Sequence, residues 1–346
     1  MPGAGVTADT ASPAGEIAQL DRPVVPAGRR RVALTAVLEQ YGLVVICFVA
    51  FGVFSVLLPS TFPTVGNVKA MVESQAVIVP LAIAETLPLR VGDFDLSIAG
   101  LMVAAGALLA QLTTHGVGLG AAIAVVFGFS LAVGVINGLL VVKVGIDSFI
   151  TTLGMMTLLS GLAYAFTNSN VITGLPSDVL TLARQNILGF PSFVWVGWAL
   201  VVVAWYVYEH TPFGRSLLFI GGSREAARLA GLRVDRLRIS AFVMCSLISG
   251  ATGVLFAGSV GQLDPSVASQ FLLQPFAGVF LGTTTIVLGR FNAFGTLVAL
   301  YLLVIGVTGL QLYGAQPWVS DAFNGAALVA AVAFAKLAAR ANARRR

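Results

Sequence analysis

The run Leu96–Val142, LSIAGLMVAAGALLAQLTTHGVGLGAAIAVVFGFSLAVGVINGLLVV, holds one charge-bearing side chain, His115. As a continuous helix rising about 1.5 Å per residue it would reach about 70 Å, more than twice the roughly 30 Å hydrocarbon core of a bilayer. A single crossing cannot contain it. The glycine cluster Gly116, Gly118 and Gly120 divides it into two membrane helices.

The rest of the chain has the same character. Of 346 residues, 57% are hydrophobic and 10% charged, against about 25% charged in an average soluble domain. So few ionisable groups cannot cover a globular surface, which excludes a soluble multidomain protein. Mean hydropathy is +0.93. Cys47 and Cys245 are the only cysteines, and both sit inside apolar runs, which argues against a disulfide framework and a cysteine zinc site.

Working outward, the spans expected are Tyr41 to Leu58, Ser74 to Leu89, the two halves of Leu96 to Val142, Ser148 to about Thr167, and Ile187 to Tyr208. Beyond a basic segment come Ile239 to Leu263, Pro265 to Gly289, Phe291 to about Leu312, and Val319 to Ala335. The expected fold is an all-α polytopic membrane protein with about ten transmembrane helices. Ser74 to Leu89 is the least regular of them, carrying Glu85 and Pro88 and leading into Arg90, Asp93 and Asp95. Residues 1–28 lack the basic start and apolar core of a cleavable signal. Residues 1–35 read as a disordered cytoplasmic tail, 36–338 as the transmembrane domain and 339–346 as a basic cytoplasmic tail.

An even number of crossings puts both termini on one side. On that side fall Arg22, Arg29 to Arg31, Arg90, Lys143, the arginines of 209–238, Arg290, Lys336, Arg340 and Arg344 to Arg346, which is 18 of the 20 cations. Only Lys69 and Arg184 face the other way. The positive-inside bias makes both termini and the 209–238 loop cytoplasmic. It also accounts for the basic balance without a nucleic-acid partner.

Enzyme signatures are scarce. None of Lys69, Lys143 and Lys336 stands in a Walker A phosphate loop. His115 and His210 fall at opposite membrane faces, which rules out a two-histidine metal site or relay within one subunit. No catalytic or metal-binding residue is expected.

The loop 209–238 carries Arg215, Arg224, Arg228, Arg233, Arg236 and Arg238. Within it Ser223 can cap a short helix, Glu225 suits its positive end and Gly231 can end it. That helix would expose Ala226, Ala227 and Ala230 beneath the membrane. Two readings stay open on pattern alone: a helix that docks into a soluble partner, and a solvated basic loop.

The stretch Thr211 to Gly258, TPFGRSLLFIGGSREAARLAGLRVDRLRISAFVMCSLISGATGVLFAG, resembles the cytoplasmic coupling region of the ribose-type ABC-transporter permeases, a carbohydrate-uptake group within the branched-chain permease superfamily. Three further stretches resemble that family in order: Gly92 to Ile98; Asn137 to Lys143, followed by Phe149 to Thr157 and Gly161 to Ala163; and Gly282 to Thr285, followed by Gly289-Arg290 and Gly295-Thr296. The likeness runs from about residue 40 to 335.

The resemblance implies a bacterial plasma (inner) membrane permease that imports a monosaccharide or related polar solute. Its implied partners are a cytoplasmic ABC ATPase, an extracytoplasmic solute-binding protein and a second permease subunit, read as a second copy of this chain. ATP and magnesium would belong to the ATPase, leaving no cofactor in this chain. Gly221, Gly222, Glu225, Ala226, Ala227 and Gly231 would form the ATPase-coupling helix. An ion-gradient-driven carrier or channel is the alternative, for which Glu85 is the one clearly placed relay group.

Candidate substrate-path residues are Glu85, Asp95, Ser97, Asn137 and Thr152. Glu85, Arg90 and Asp93 stand where the family usually carries apolar residues or glycine. A carboxylate at mid-helix costs about 2.5–3.5 kcal/mol on insertion scales, so Glu85 should face protein, water or a cation. It either contacts a polar solute in the central cavity or belongs to a structural pair. Asp95 either lines the path or caps the next helix. Thr151, Thr157 and Ser160 join Asn137 and Thr152 as groups able to bond a sugar or, alternatively, helix backbone. Gly134 and Gly138 permit close helix contact, within the chain or between subunits.

Overall fold

The computed structural model describes backbone for residues 29–344 and side chains from 40 to 333. Residues 1–28 of the expected tail, and Arg345 and Arg346, lie outside the described residues. In chain order come α1 (Arg29–Leu57), α2 (Val65–Arg90), α3 (Ser97–Thr114), α4 (Leu119–Leu139, prolonged by a π-helical turn Leu140–Val144) and α5 (Ser148–Phe166). Then follow β1 (Ile172–Thr173), α6 (Ser177–Arg184), β2 (Asn186–Ile187), β3 (Phe190–Pro191), α7 (Ser192–His210), α8 (Pro212–Gly222) and α9 (Arg224–Leu229). The last part comprises α10 (Val234–Val260), β4 (Gln262–Leu263), a 3-10 helix (Pro265–Phe271), α11 (Leu273–Gly282), α12 (Ala293–Leu312) and α13 (Trp318–Arg344).

Among the described residues eight helices are long and apolar enough to cross a membrane, and a ninth apolar helix over Trp318–Ala333 is shorter. The run Pro265 to Gly289, expected as one helix, is broken. Its 3-10 segment and α11 are separate elements of seven and ten residues, neither long enough alone to cross a bilayer, while 283–292 forms turns. Asn292 holds those turns by donating from Nδ2 to the carbonyls of Gly282, Thr285 and Arg290. The span starting at Ser74 in the sequence reading begins instead at Val65, because the Thr64 hydroxyl accepts from Asn67 N and starts α2 early. The segment between α5 and α7 contains α6 and the β2–β3 ladder, and its β1 pairs with β4, which follows α10.

α3 and the inner half of α2 are almost wholly buried, with α10 packed across both. Small residues make this possible. A Cβ on Gly100 would meet Met156 O of α5 at 2.8 Å, and one on Gly106 would meet Gly253 O of α10 at 3.0 Å. Gly134 and Gly138 pack against Val243 and Ile239 of α10, so this small-residue pair serves contact within the chain.

The arginines of the sequence-assigned cytoplasmic side gather at one end. Arg90, Arg215 and Arg290 line one cavity there, and Arg224 and Arg238 meet one carboxylate. Arg184 lies at the opposite end of α10, donating to Ser259 O.

Candidate functional site

Between α2 and α3 the chain unwinds over Val91 to Leu96, yet no N–H from Val91 to Ser97 lacks an acceptor. Val91 and Asp93 donate to Pro88 O, and Gly92 donates to Leu89 O. Phe94 N donates to Ser148 Oγ at 3.1 Å, Asp95 N to Glu85 Oε1 at 3.2 Å, and Leu96 N to Thr152 Oγ1 at 3.0 Å. Ser97 N donates to Asp95 Oδ1 at 3.0 Å. An unsatisfied amide in an apolar interior costs several kcal/mol, so irregular backbone at this depth requires such a set of acceptors.

These bonds bring all five substrate-path candidates into one network. Glu85 holds Asp95, Asp95 holds Ser97, Asn137 Nδ2 donates to Ser97 Oγ at 2.9 Å, and Thr152 braces Leu96. Glu85, Asp95, Ser97, Asn137 and Thr152 are each 0% exposed. Three oxygens in the network have no hydrogen-bond partner: Glu85 Oε2, Asp95 Oδ2 and Asn137 Oδ1. Thr151, Thr157 and Ser160 lie outside it, each donating to a carbonyl one turn back in α5.

The basic hairpin is mounted on this turn. Thr211 Oγ1 accepts from Gly214 N, with Pro212 beside it, and so starts α8. Gly221 then packs directly on Arg90 O, where no side chain would fit. Ser223 Oγ accepts from Ala226 N at 3.2 Å to cap α9, and Gly231 at φ +81° ends the segment. Gly221 and Gly222 close α8 and are not part of α9.

Arg224, the first residue of α9, donates from Nη2 to Val91 O at 3.2 Å, Gly92 O at 3.0 Å and Asp93 Oδ1 at 2.8 Å. Arg238 of α10 engages the same carboxylate through Nε and Nη2, both at 2.8 Å. Asp93 is buried, so its charge is tolerable only with these partners. The hairpin, the unwound turn and the base of α10 therefore meet at one carboxylate.

On α9 Glu225 and Ala226 are exposed, whereas Ala227 is buried, against the expectation that it would face outward. Its place in contact with solvent is taken by Leu229, which is 85% exposed. Sequence reasoning missed Leu229, although an apolar residue inside an arginine-rich loop is a visible signal. It also missed the Asp93 pairing, since Asp93 and Arg238 are 145 residues apart. Among the described residues no group of three or more His, Cys, Asp or Glu side chains is placed to hold a metal. The arrangement joins the hairpin to the turn and offers buried hydrogen-bond acceptors.

Residues 70–332 match the family described as branched-chain amino acid transport system, permease component. The ribose import permease protein RbsC of Escherichia coli K12 is 30% identical over 295 residues, covering 84% of this chain and 91% of that protein. The L-arabinose ABC transporter permease protein AraH of Azospirillum brasilense is 30% identical over 316 residues, covering 91% and 92%. The ribose import permease of Bacillus subtilis is 28% identical over 308 residues, covering 88% and 95%. No solved structure matches the chain.

Proposed function

The chain belongs to the family of branched-chain amino acid transport permease components, as a multi-pass inner-membrane subunit of an ABC transporter whose ATPase is a separate protein, and we propose that it imports a monosaccharide of the pentose class. Two copies form the pathway, an extracytoplasmic binding protein delivers the sugar, and a cytoplasmic ATPase docks on α9. The observation that carries this is the attachment of Arg224 to Val91, Gly92 and Asp93. It ties the hairpin beneath the membrane to the unwound turn between α2 and α3. Likeness to ribose and arabinose permeases over most of both chains supports the pentose class, and favours ATP-driven import over a gradient-driven carrier.

Glu225, Ala226 and Leu229 form the docking face of α9 in this reading. Ala227, Gly221, Gly222 and Gly231 give the hairpin its shape. Closure of the ATPase shifts the hairpin, Arg224 draws on the turn, and the pathway changes sides. Binding protein and nucleotide drive this only by binding the two states with different affinity. The unpartnered oxygens of Glu85, Asp95 and Asn137 are acceptors, and sugar hydroxyls are donors. Once the turn opens, these oxygens meet the cargo, with Ser97 and Thr152 holding the frame.

The test is uptake by vesicles containing the permease, its ATPase and its loaded binding protein. Ribose or arabinose should accumulate only with ATP, and vesicles with the permease alone should accumulate neither. Concentrative uptake by the permease alone would sink the proposal, as would failure to copurify with any nucleotide-hydrolysing partner.

A further inference from the structure

At the arginine-rich end, Arg90, Tyr208, Glu209, Arg215, Phe219 and Arg290 line a cavity of about 530 Å³. Arg90 is 4% exposed, and its position is set from two sides. Its Nη1 donates to Phe291 O at 2.7 Å, and its guanidinium lies 4.1 Å from the centre of the Tyr208 ring. The Tyr208 hydroxyl is in turn held by Thr86. Neither contact neutralises the charge, and Arg90 Nε has no hydrogen-bond partner. Among the described residues Arg90, Arg215 and Arg290 enter no ion pair, and Glu209 is the single carboxylate on the wall.

Glu209 shares the cavity with Arg90 but makes no contact ion pair with it, and one carboxylate stands against three arginines, so a buried guanidinium here favours a further anion. Three arginines around one cavity supply the forked donors that match phosphate oxygens. The cavity lies where α2 and α7 end, on the side that the positive-inside bias makes cytoplasmic, and Leu218 and Phe219 give it an apolar wall. We infer that this cavity binds the phosphate of an anionic phospholipid, with Arg90 as the buried anchor, Arg215 and Arg290 closing over the headgroup, and an acyl chain against Phe219. A basic pocket between helix ends on the cytoplasmic side is suited to such headgroups. The inference concerns a site beside the hairpin and stands whichever sugar is carried.

The assembled permease and ATPase complex, in bilayers of phosphatidylcholine with increasing phosphatidylglycerol, provides the test, with retained lipid read by native mass spectrometry. Phosphatidylglycerol should be retained over phosphatidylcholine. At about 1 kcal/mol per surface arginine, Arg215→Gln with Arg290→Gln should weaken retention about thirtyfold, and either alone about fivefold. Both residues are exposed, so this pair avoids the folding risk of Arg90→Gln; Arg90→Lys, which keeps charge and loses the fork, should weaken retention with the fold intact. Arg233→Gln with Arg236→Gln removes equal charge from the same face and should leave retention unchanged. Equal loss in that control, or equal retention of both lipids, would overturn the assignment. Displacement by millimolar inorganic phosphate would make it a free-anion site, and absence of lipid only when the ATPase is bound would make it part of the protein interface; either result overturns the lipid assignment.

Discussion

Asp93 and Arg238 meet in a two-point contact, with Nε and Nη2 each 2.8 Å from a separate carboxylate oxygen. The two side chains are 3% and 8% exposed. Such a pair adds little over a well-packed apolar substitute, but removing one partner strands a buried charge, at about 3–5 kcal/mol.

Arg238→Met leaves Asp93 only its more exposed partner Arg224 and should therefore lower the melting temperature of the purified permease by a margin consistent with up to about 3 kcal/mol. Asp93→Asn with Arg238→Met, which removes both charges, should recover much of that loss. An unchanged melting temperature in the single variant would remove the carboxylate from its central place.

Arg224 is 40% exposed, and its removal should barely affect stability, within about 1 kcal/mol. Arg224→Gln should instead reduce ATP-driven uptake about tenfold or more, while the complex still assembles and hydrolyses ATP. Normal uptake would show that the link through Val91, Gly92 and Asp93 does not carry the stroke.

Leu229→Asp should weaken binding of the ATPase about ten- to a hundredfold, the range set by burying one leucine side chain. Glu225→Arg should abolish uptake with membrane insertion intact. Copurification yield and transport read the two effects separately, and a Leu229→Asp protein that keeps its ATPase would remove α9 from the interface.

Glu85→Leu leaves Asp95 N without its acceptor and should destabilise the protein by about 1–3 kcal/mol. Glu85→Gln keeps an acceptor for that amide and should fold normally, yet raise KM for the sugar about fivefold, because an amide nitrogen takes the place of the free acceptor Oε2. If both transport and binding-protein-stimulated ATPase are untouched in Glu85→Gln, Glu85 is purely structural.

Gly134→Val would place side-chain atoms where Val243 Cα sits, 2.7 Å from the position of a Cβ. Overpacking of this kind costs about 1–3 kcal/mol, so thermal stability should fall. A neutral result would mean that α4 and α10 can separate freely.

The spans were legible because a bilayer imposes one length scale and one polarity on them, and α9 because a serine cap and a glycine stop write its ends locally. The break before α11 was not legible, since Pro265 to Gly289 is uncharged throughout and hydropathy does not distinguish a 3-10 turn from α-helix. β1 and β4 are two residues each, paired across 90 or so positions, too short for any alternating pattern. The five path candidates are legible as polar groups in apolar surroundings and, for Asp95 and Ser97, by the likeness of Gly92 to Ile98 to the family's turn; that they form one network follows from packing of α3 between α2, α4 and α5. Arg90 was noticed as an anomaly, but Tyr208 and Phe291, which make its burial tolerable, approach it only in three dimensions.

The full set of acceptors around Val91 to Ser97 bears on the time course of the transport cycle. With no donor left over, the loop gains nothing by drifting part of the way: small excursions break several links before any replacement is in reach. Its motion should resemble the flip of a toggle, with long dwells in few positions and fast passages between them. A single-molecule trace from a dye pair spanning this bend should then show discrete levels where a loosely tethered loop would show a continuous smear.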